Sequence, residues 1–264
     1  MDARLMLLAL LIAAAQPAAA SDPVVIALVA GEGDRKCLPD KSLCLDLPGP
    51  AKAGGAEGGL VLTAPMTDDA RDLPLPYSRD DGQSLDLWPY LIAVAPHGDA
   101  LADARQYLMG VVTSQTAMYS GGGGNGSRLR LLRLDTTPSN MRVGDEVLDV
   151  VWDSSLMIRA CFSEQAMKDR REACHDEYNF TGTLSAGPAE AGELPALTYR
   201  AVATAYPRTA RRSQDNGGLR LKAADLVHAK DPECSYERTL RYNPATSRYE
   251  MDRPAPDCSD YTTP

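Results

Sequence analysis

The chain has 264 residues, of which 44% are hydrophobic, so it is long and apolar enough to bury a sizeable core. Its net charge of −9 at pH 7 gives no overall positive field for nucleic acid or anionic lipid, so we predict no nucleic-acid partner. Arginine outnumbers lysine and alanine is abundant, a bias associated with GC-rich bacterial genomes.

The first twenty residues have the three parts of a secretory signal peptide. Arg4 supplies a positive start, residues 5–15 form an apolar run, and three alanines precede Ser21 as an A-x-A cleavage site. The run is shorter than the about 20 residues that span a bilayer, and no later run is long enough. We therefore expect cleavage between Ala20 and Ser21, and a periplasmic or secreted protein with no integral membrane segment.

The next part of the chain, residues 21–84, contains little that is typical of a core. An apolar run at residues 24–30 predicts a first strand, and the rest is rich in Gly, Pro and Asp. We predict irregular structure here, wrapped around a main β-rich body of residues 85–264. A linker after a small N-terminal unit is the alternative. One short strand is too small for a domain, so we treat residues 21–264 as one domain.

Strand patterns recur from Leu85 to the C-terminus, as runs of β-branched and aromatic residues separated by turn residues. The regular alternation of strands and helices that a parallel sheet requires is absent. Ser163 is a typical N-cap for one helix. We predict a mainly β fold, α+β at the margin, in which short strands form an antiparallel sheet or sandwich with one short helix near residues 163–171.

Six cysteines in an exported chain predict a disulfide framework. Six cysteines allow 15 pairings, but the spacing favours three neighbouring pairs: Cys37–Cys44, Cys161–Cys174 and Cys234–Cys258. A continuous helix over residues 162–173 would hold its ends about 16 Å apart. A disulfide needs Cα atoms within about 7 Å, so we expect the helix to stop near Arg170. Zinc bound by Cys174 and His175 is the alternative, although no C-x-x-C spacing exists.

The run MYSGGGGNGSRLRLLRLD contains the sequence's most distinctive motif. Residues 121–126 match G-x-G-x-x-G, but a phosphate cradle needs a helix directly after the loop. The alternating Arg and Leu residues predict a strand instead, so we interpret the glycines as a long, permissive hairpin loop. A β-bulge at Leu131–Leu132 would place the leucines on one face and the arginines on the other. The loop tip can also adapt to a partner surface.

Few residues offer catalytic or metal chemistry. Asp80, Asp81 and Asp86 supply the oxygen ligands that calcium prefers, but without EF-hand spacing, and solvated turn acids explain them as well. His97 and His175 are the candidate bases of a hydrolase, since a catalytic triad is recognised by geometry rather than by sequence order. No G-x-S-x-G nucleophile motif accompanies them. We predict no cofactor.

Arg208, Arg211 and Arg212 form the one basic cluster, which we interpret as a solvated and protease-sensitive loop, with an anionic glycan or acidic partner as the alternative.

These observations together predict an exported, disulfide-stabilised module that binds an envelope glycan or protein without catalysis. Two alternatives stay open. One is a secreted hydrolase, calcium-assisted, that uses His97 or His175. The other is an inhibitor of a foreign lysozyme or protease with a protruding loop at residues 120–127.

Overall fold

The computed structural model describes residues 25–47, 59–63, 70–75, 77, 83–94, 105–137, 140–189 and 193–263. Several predicted features lie outside these residues: the signal peptide with its cleavage site at Ala20 and Ser21, the calcium candidates Asp80 and Asp81, and the histidine His97. Within the described residues, no helix has the length and apolar character that crossing a bilayer requires.

Strands make up most of the described chain. They are β1 (Val25–Ala27), β2 (Val29–Ala30), β3 (Lys36–Cys37), β4 (Cys44–Asp46), β5 (Gly59–Thr63), β6 (Ala70–Pro74), β7 (Gln83–Val94), β8 (Arg105–Tyr119), β9 (Gly122–Thr137), β10 (Asn140–Arg159), β11 (His175–Ala186), β12 (Leu197–Tyr206), β13 (Ala229–Lys230), β14 (Glu237–Asn243) and β15 (Arg248–Met251). The helical elements are α1 (Glu164–Asp169), α2 (Ser259–Thr262) and a 3-10 turn (Ala223–Asp225). The predicted mainly β fold is confirmed.

The strands form two antiparallel sheets, and in each sheet most neighbours in space are neighbours in sequence. The large sheet runs β1-β7-β8-β9-β10-β11-β12-β14-β15, with β13 beside β12, and the small sheet runs from β2 to β6 in order. Consecutive antiparallel strands need only short connections, which agrees with the turn residues between the strand patterns. The absence of a strand–helix alternation thus correctly indicated an antiparallel sheet.

The middle of the large sheet is buried on both faces, each against a different core. On β9, Leu129 and Leu131 enter a core shared with β7, β8, β10, β11, β12, β14 and β15. Leu132 and Leu134 enter a second core that includes leucines of the small sheet. The pairing of β8 with β9 is continuous, so β9 itself has no extra residue at Leu131–Leu132; a register shift does lie opposite these leucines, but the extra residue is Val147 on β10. Both leucines are buried because the small sheet covers the face that the first core leaves free.

All six cysteines form disulfides, in the neighbouring pairs that their spacing favoured. The Cα–Cα distances are 4.0, 4.8 and 5.6 Å for Cys37–Cys44, Cys161–Cys174 and Cys234–Cys258. Helix α1 ends at Asp169, and positive φ angles of 53° and 69° at residues 171 and 172 turn the chain back towards Cys174. Cys174 is therefore not a zinc ligand. The disulfides are consistent with a location outside the cytoplasm.

The glycine run lies in a strand rather than in a loop. Tyr119 pairs with Gly122, so the predicted hairpin exists, but its turn contains only two residues and the predicted long loop is wrong. A Cβ atom on Gly122 would lie 2.1 Å from the carbonyl oxygen of Met157, and one on Gly124 would lie 2.4 Å from Cδ2 of Leu156. These glycines let β10 approach β9 closely. The inhibitor hypothesis thereby loses its protruding loop at residues 120–127.

Candidate functional site

A cleft forms where β10 loses its partner on one side. In the described pairings, β11 accompanies β10 only along residues 153–159, so the first part of β10 is bonded to β9 alone. Register shifts follow Val143, Glu146 and Val151, and such bulges bend a strand. The resulting cleft has a volume of about 800 Å³, a size typical of small-ligand sites. Its lining residues are Leu75, Tyr77, Arg130, Arg133, Asp135, Arg142, Val143, Gly144, Asp145, Glu146 and Arg248.

The cleft concentrates positive charge on an otherwise acidic protein. It contains four arginines and three carboxylates, a formal charge of +1 against −9 for the whole chain. The arginines come from the consecutive strands β9 and β10 and from β15, which lies far along the chain. Guanidinium groups bind carboxylates and phosphates through paired hydrogen bonds, so this lining favours an anionic group.

Glu146 holds the walls of the cleft together. The Tyr77 hydroxyl donates a hydrogen bond of 2.5 Å to Oε2 of Glu146, and Arg248 donates to Oε1. Nη1 of Arg130 lies 3.6 Å from Oε2. Burial, followed by the contact with Glu146, raises the pKa of Tyr77 well above its usual value, so this hydroxyl stays protonated and donates. Glu146 is thus a positioning residue that joins β9, β15 and the segment after β6.

Arg133 is the guanidinium in the cleft that is left for a ligand. Arg130 packs over the Tyr77 ring, 4.7 Å from its centre, and contacts Glu146. Arg133 is half-buried and forms no ion pair with a carboxylate in the described part of the chain. A Cβ atom on Gly144 would lie 3.3 Å from Cβ of Arg133, so this glycine gives the arginine its space.

The hydrogen-bonding network of the cleft is incomplete. Among the described residues, two buried side-chain polar atoms have no hydrogen-bond partner: Nε of Arg130 and Oδ1 of Asp135. Both residues line the cleft, and Oδ2 of Asp135 lies 3.3 Å from Nη2 of Arg142. Buried polar atoms are nearly always bonded to protein or water, and leaving one unbonded costs about 1–3 kcal/mol. Nε of Arg130 faces Oδ1 of Asp149 at 3.8 Å, so Oδ1 of Asp135 is the unbonded atom that a shift of the cleft lining would offer to a ligand.

The predicted site residue His175 lies elsewhere, at the opposite end of β10, where it pairs with Arg159. Its Nε2 is 2.9 Å from Oε1 of Glu177, and Nε2 of His228 is 3.3 Å from Oε2 of the same carboxylate. Glu177 can therefore orient His175, but no serine, threonine or cysteine contacts this histidine through a hydrogen bond in the described residues. The described His, Cys, Asp and Glu residues also form no group of three suited to a metal ion. Asp86 lies exposed on β7.

The basic cluster lies in a loop that is exposed at Arg208 and Arg211 and is bonded to the backbone around it. Nη1 of Arg211 donates to the carbonyl oxygens of Arg208 and Ala210, at 3.1 and 2.7 Å. Arg212 donates to carbonyl oxygens at residues 259 and 263, the two ends of the α2 region. Arg208 and Arg211 are exposed in a loop, as predicted, while the bonds of Arg211 and Arg212 to backbone carbonyls hold that loop in place.

Sequence reasoning missed the cleft because its residues share no motif. The alternating arginines of β9 indicated only a strand with leucines on one face and arginines on the other. No family model, no curated protein and no solved structure matches this chain. The geometry of the cleft therefore carries the functional argument.

Proposed function

We propose that this protein is an exported binding module that holds an anionic, polar ligand in the cleft at the β10 bulges, without catalysing a reaction. The observation that carries the proposal is Arg133, which has no ion-pair partner among the described residues, in a cleft where Glu146 positions Arg130 and Arg248. Three disulfides and a signal-like N-terminal sequence support the export part of the proposal.

The arrangement of charges suits binding. Arg133 is supported by a packed strand, and Arg248 is anchored by Glu146 yet half exposed. Because Glu146 already holds the Arg248 guanidinium, little side-chain entropy is lost at that arginine when an anion binds. The cleft is open to solvent, so the attraction is screened and binding should weaken as salt is added.

The test is isothermal titration calorimetry on the full chain, exported and oxidised in a bacterial host. Acetate, inorganic phosphate and the uronic-acid disaccharide cellobiouronate are titrated into the protein and into Arg133→Gln. Loss of one charge-assisted contact of about 1.5–3 kcal/mol predicts at least tenfold weaker binding of every anion that binds the unmodified chain.

The matched control is Arg200→Gln, because Arg200 is an exposed arginine of the same sheet whose ion pair is with Glu237, outside the cleft. This variant should bind like the unmodified chain. Failure of all three anions to bind overturns the proposal, as does equal loss of affinity in both variants.

A further inference from the structure

The lining of the cleft indicates more about its ligand than that the ligand is negatively charged. We infer that its ligand is an acidic sugar, a polyhydroxylated ring that carries one carboxylate. This inference rests on the proposed anion-binding function of the same cleft. It identifies which anion the lining suits.

The carboxylates of the cleft limit the charge of the ligand. Asp135, Asp145 and Glu146 compensate all but one of the four arginine charges. The exposed Asp145 repels a second negative charge, so a doubly charged phosphate or a densely sulfated chain suits this lining less well than a singly charged group. A ligand with a single negative charge balances the formal charge of the site.

The same carboxylates require hydrogen-bond donors on the ligand. Carboxylate oxygens only accept hydrogen bonds, so a bare organic acid cannot satisfy them. Oδ1 of Asp135 is buried without a partner, and Asp145 forms no ion pair or hydrogen bond with another side chain in the described residues. Sugar hydroxyls donate hydrogen bonds as well as accept them, so they can satisfy carboxylates that a bare organic acid cannot.

The cleft also has an apolar wall. Leu75, Tyr77 and Val143 line it beside the charged groups, and Arg130 covers one face of the Tyr77 ring. A sugar ring presents C–H groups on its faces and hydroxyls around its edge. It can therefore place its C–H face against this wall while its carboxylate reaches Arg133.

The experiment compares three ligands that differ by one property each. Cellobiouronate has one carboxylate and many hydroxyls, cellobiose keeps the hydroxyls without the charge, and cyclohexanecarboxylate keeps a ring and the charge without the hydroxyls. Calorimetric titration of the full chain should give an affinity for cellobiouronate at least tenfold above that for either of the others.

The variant Asp145→Asn should change the affinities for cellobiouronate and cyclohexanecarboxylate in opposite directions. Asp145 is exposed, so its replacement should not affect folding. Loss of a charged acceptor should weaken cellobiouronate binding by about tenfold, whereas loss of a repelling charge should strengthen cyclohexanecarboxylate binding. Equal binding of these two ligands by the unmodified chain, or tighter binding of both by the variant, overturns the acidic-sugar inference. Either result would leave anion binding intact. Absence of all binding would overturn both.

Discussion

Arg170 is the side chain whose loss should destabilise the fold most, because it is a fully buried charge. Its side chain is 0% exposed and that of its partner Asp176 is 3% exposed. Its Nε donates to the carbonyl of Ala173 at 2.9 Å, and its Nη1 donates to the carbonyl of Asn216. Arg170→Met removes these bonds and leaves Asp176 buried without its counter-charge. Removing one partner of a buried pair typically costs about 3–5 kcal/mol.

The stability that Arg170→Met loses should depend on pH in a predictable direction. Burial raises the pKa of Asp176 and the Arg170 charge opposes that rise, so without Arg170 the pKa of this carboxyl should rise further. A carboxyl whose folded pKa lies above its unfolded value contributes stability at low pH, which is lost as the pH rises through the folded pKa. The deficit of Arg170→Met should therefore be smaller at pH 4 than at pH 8.

The assay is denaturant unfolding at both pH values with the disulfides intact. The control is Arg220→Met, which removes an 84% exposed arginine that lies 3.8 Å from Asp169 and should change stability by less than about 0.5 kcal/mol. The double variant Arg170→Met with Asp176→Leu should recover much of the loss, because no uncompensated charge remains. A loss under about 1 kcal/mol at pH 8, or an equal deficit at both pH values, would refute this reasoning.

Two further predictions concern the C-terminus and the glycine strand. Burial acts to raise the pKa of Asp231, but hydrogen bonds from the Cys234 amide and the Tyr261 hydroxyl outweigh burial and lower the pKa. The ionised carboxylate therefore contributes stability above its unfolded pKa, and this stability is lost as the pH falls through the folded pKa. Asp231→Asn should thus cost about 1 kcal/mol at pH 7 and almost nothing at pH 2, as measured by urea unfolding. Gly122→Ala should lower the melting temperature because the new Cβ would meet a carbonyl oxygen of β10. The control Gly121→Ala should not, because its Cβ would meet no atom within 4 Å. Equal melting temperatures of the two variants would contradict the close approach of β10 to β9.

The sequence was informative where one local rule was sufficient. Short sequence spacing favoured the disulfide pairs, and the conflict between Cys161–Cys174 and a long helix correctly indicated that α1 stops before Arg170. The position of the bulge could not be predicted from the local sequence. A break in alternation at Leu131–Leu132 has two explanations, an extra residue or burial on both faces, and only the small sheet decides between them.

The cleft was beyond sequence reasoning for a related reason. The extra residues lie on β10, around Gly144 and Val147, where a short break in alternation resembles an ordinary turn. These extra residues open a cleft only because β11 does not pair with this part of β10. An unpaired edge invites aggregation unless bulges and charges protect it. Here the bulges bend the edge away and Arg142, Asp145 and Glu146 place charges along it. The features that protect the edge are thus the ones that build a charged cleft, so a binding site can arise there without a motif in the sequence.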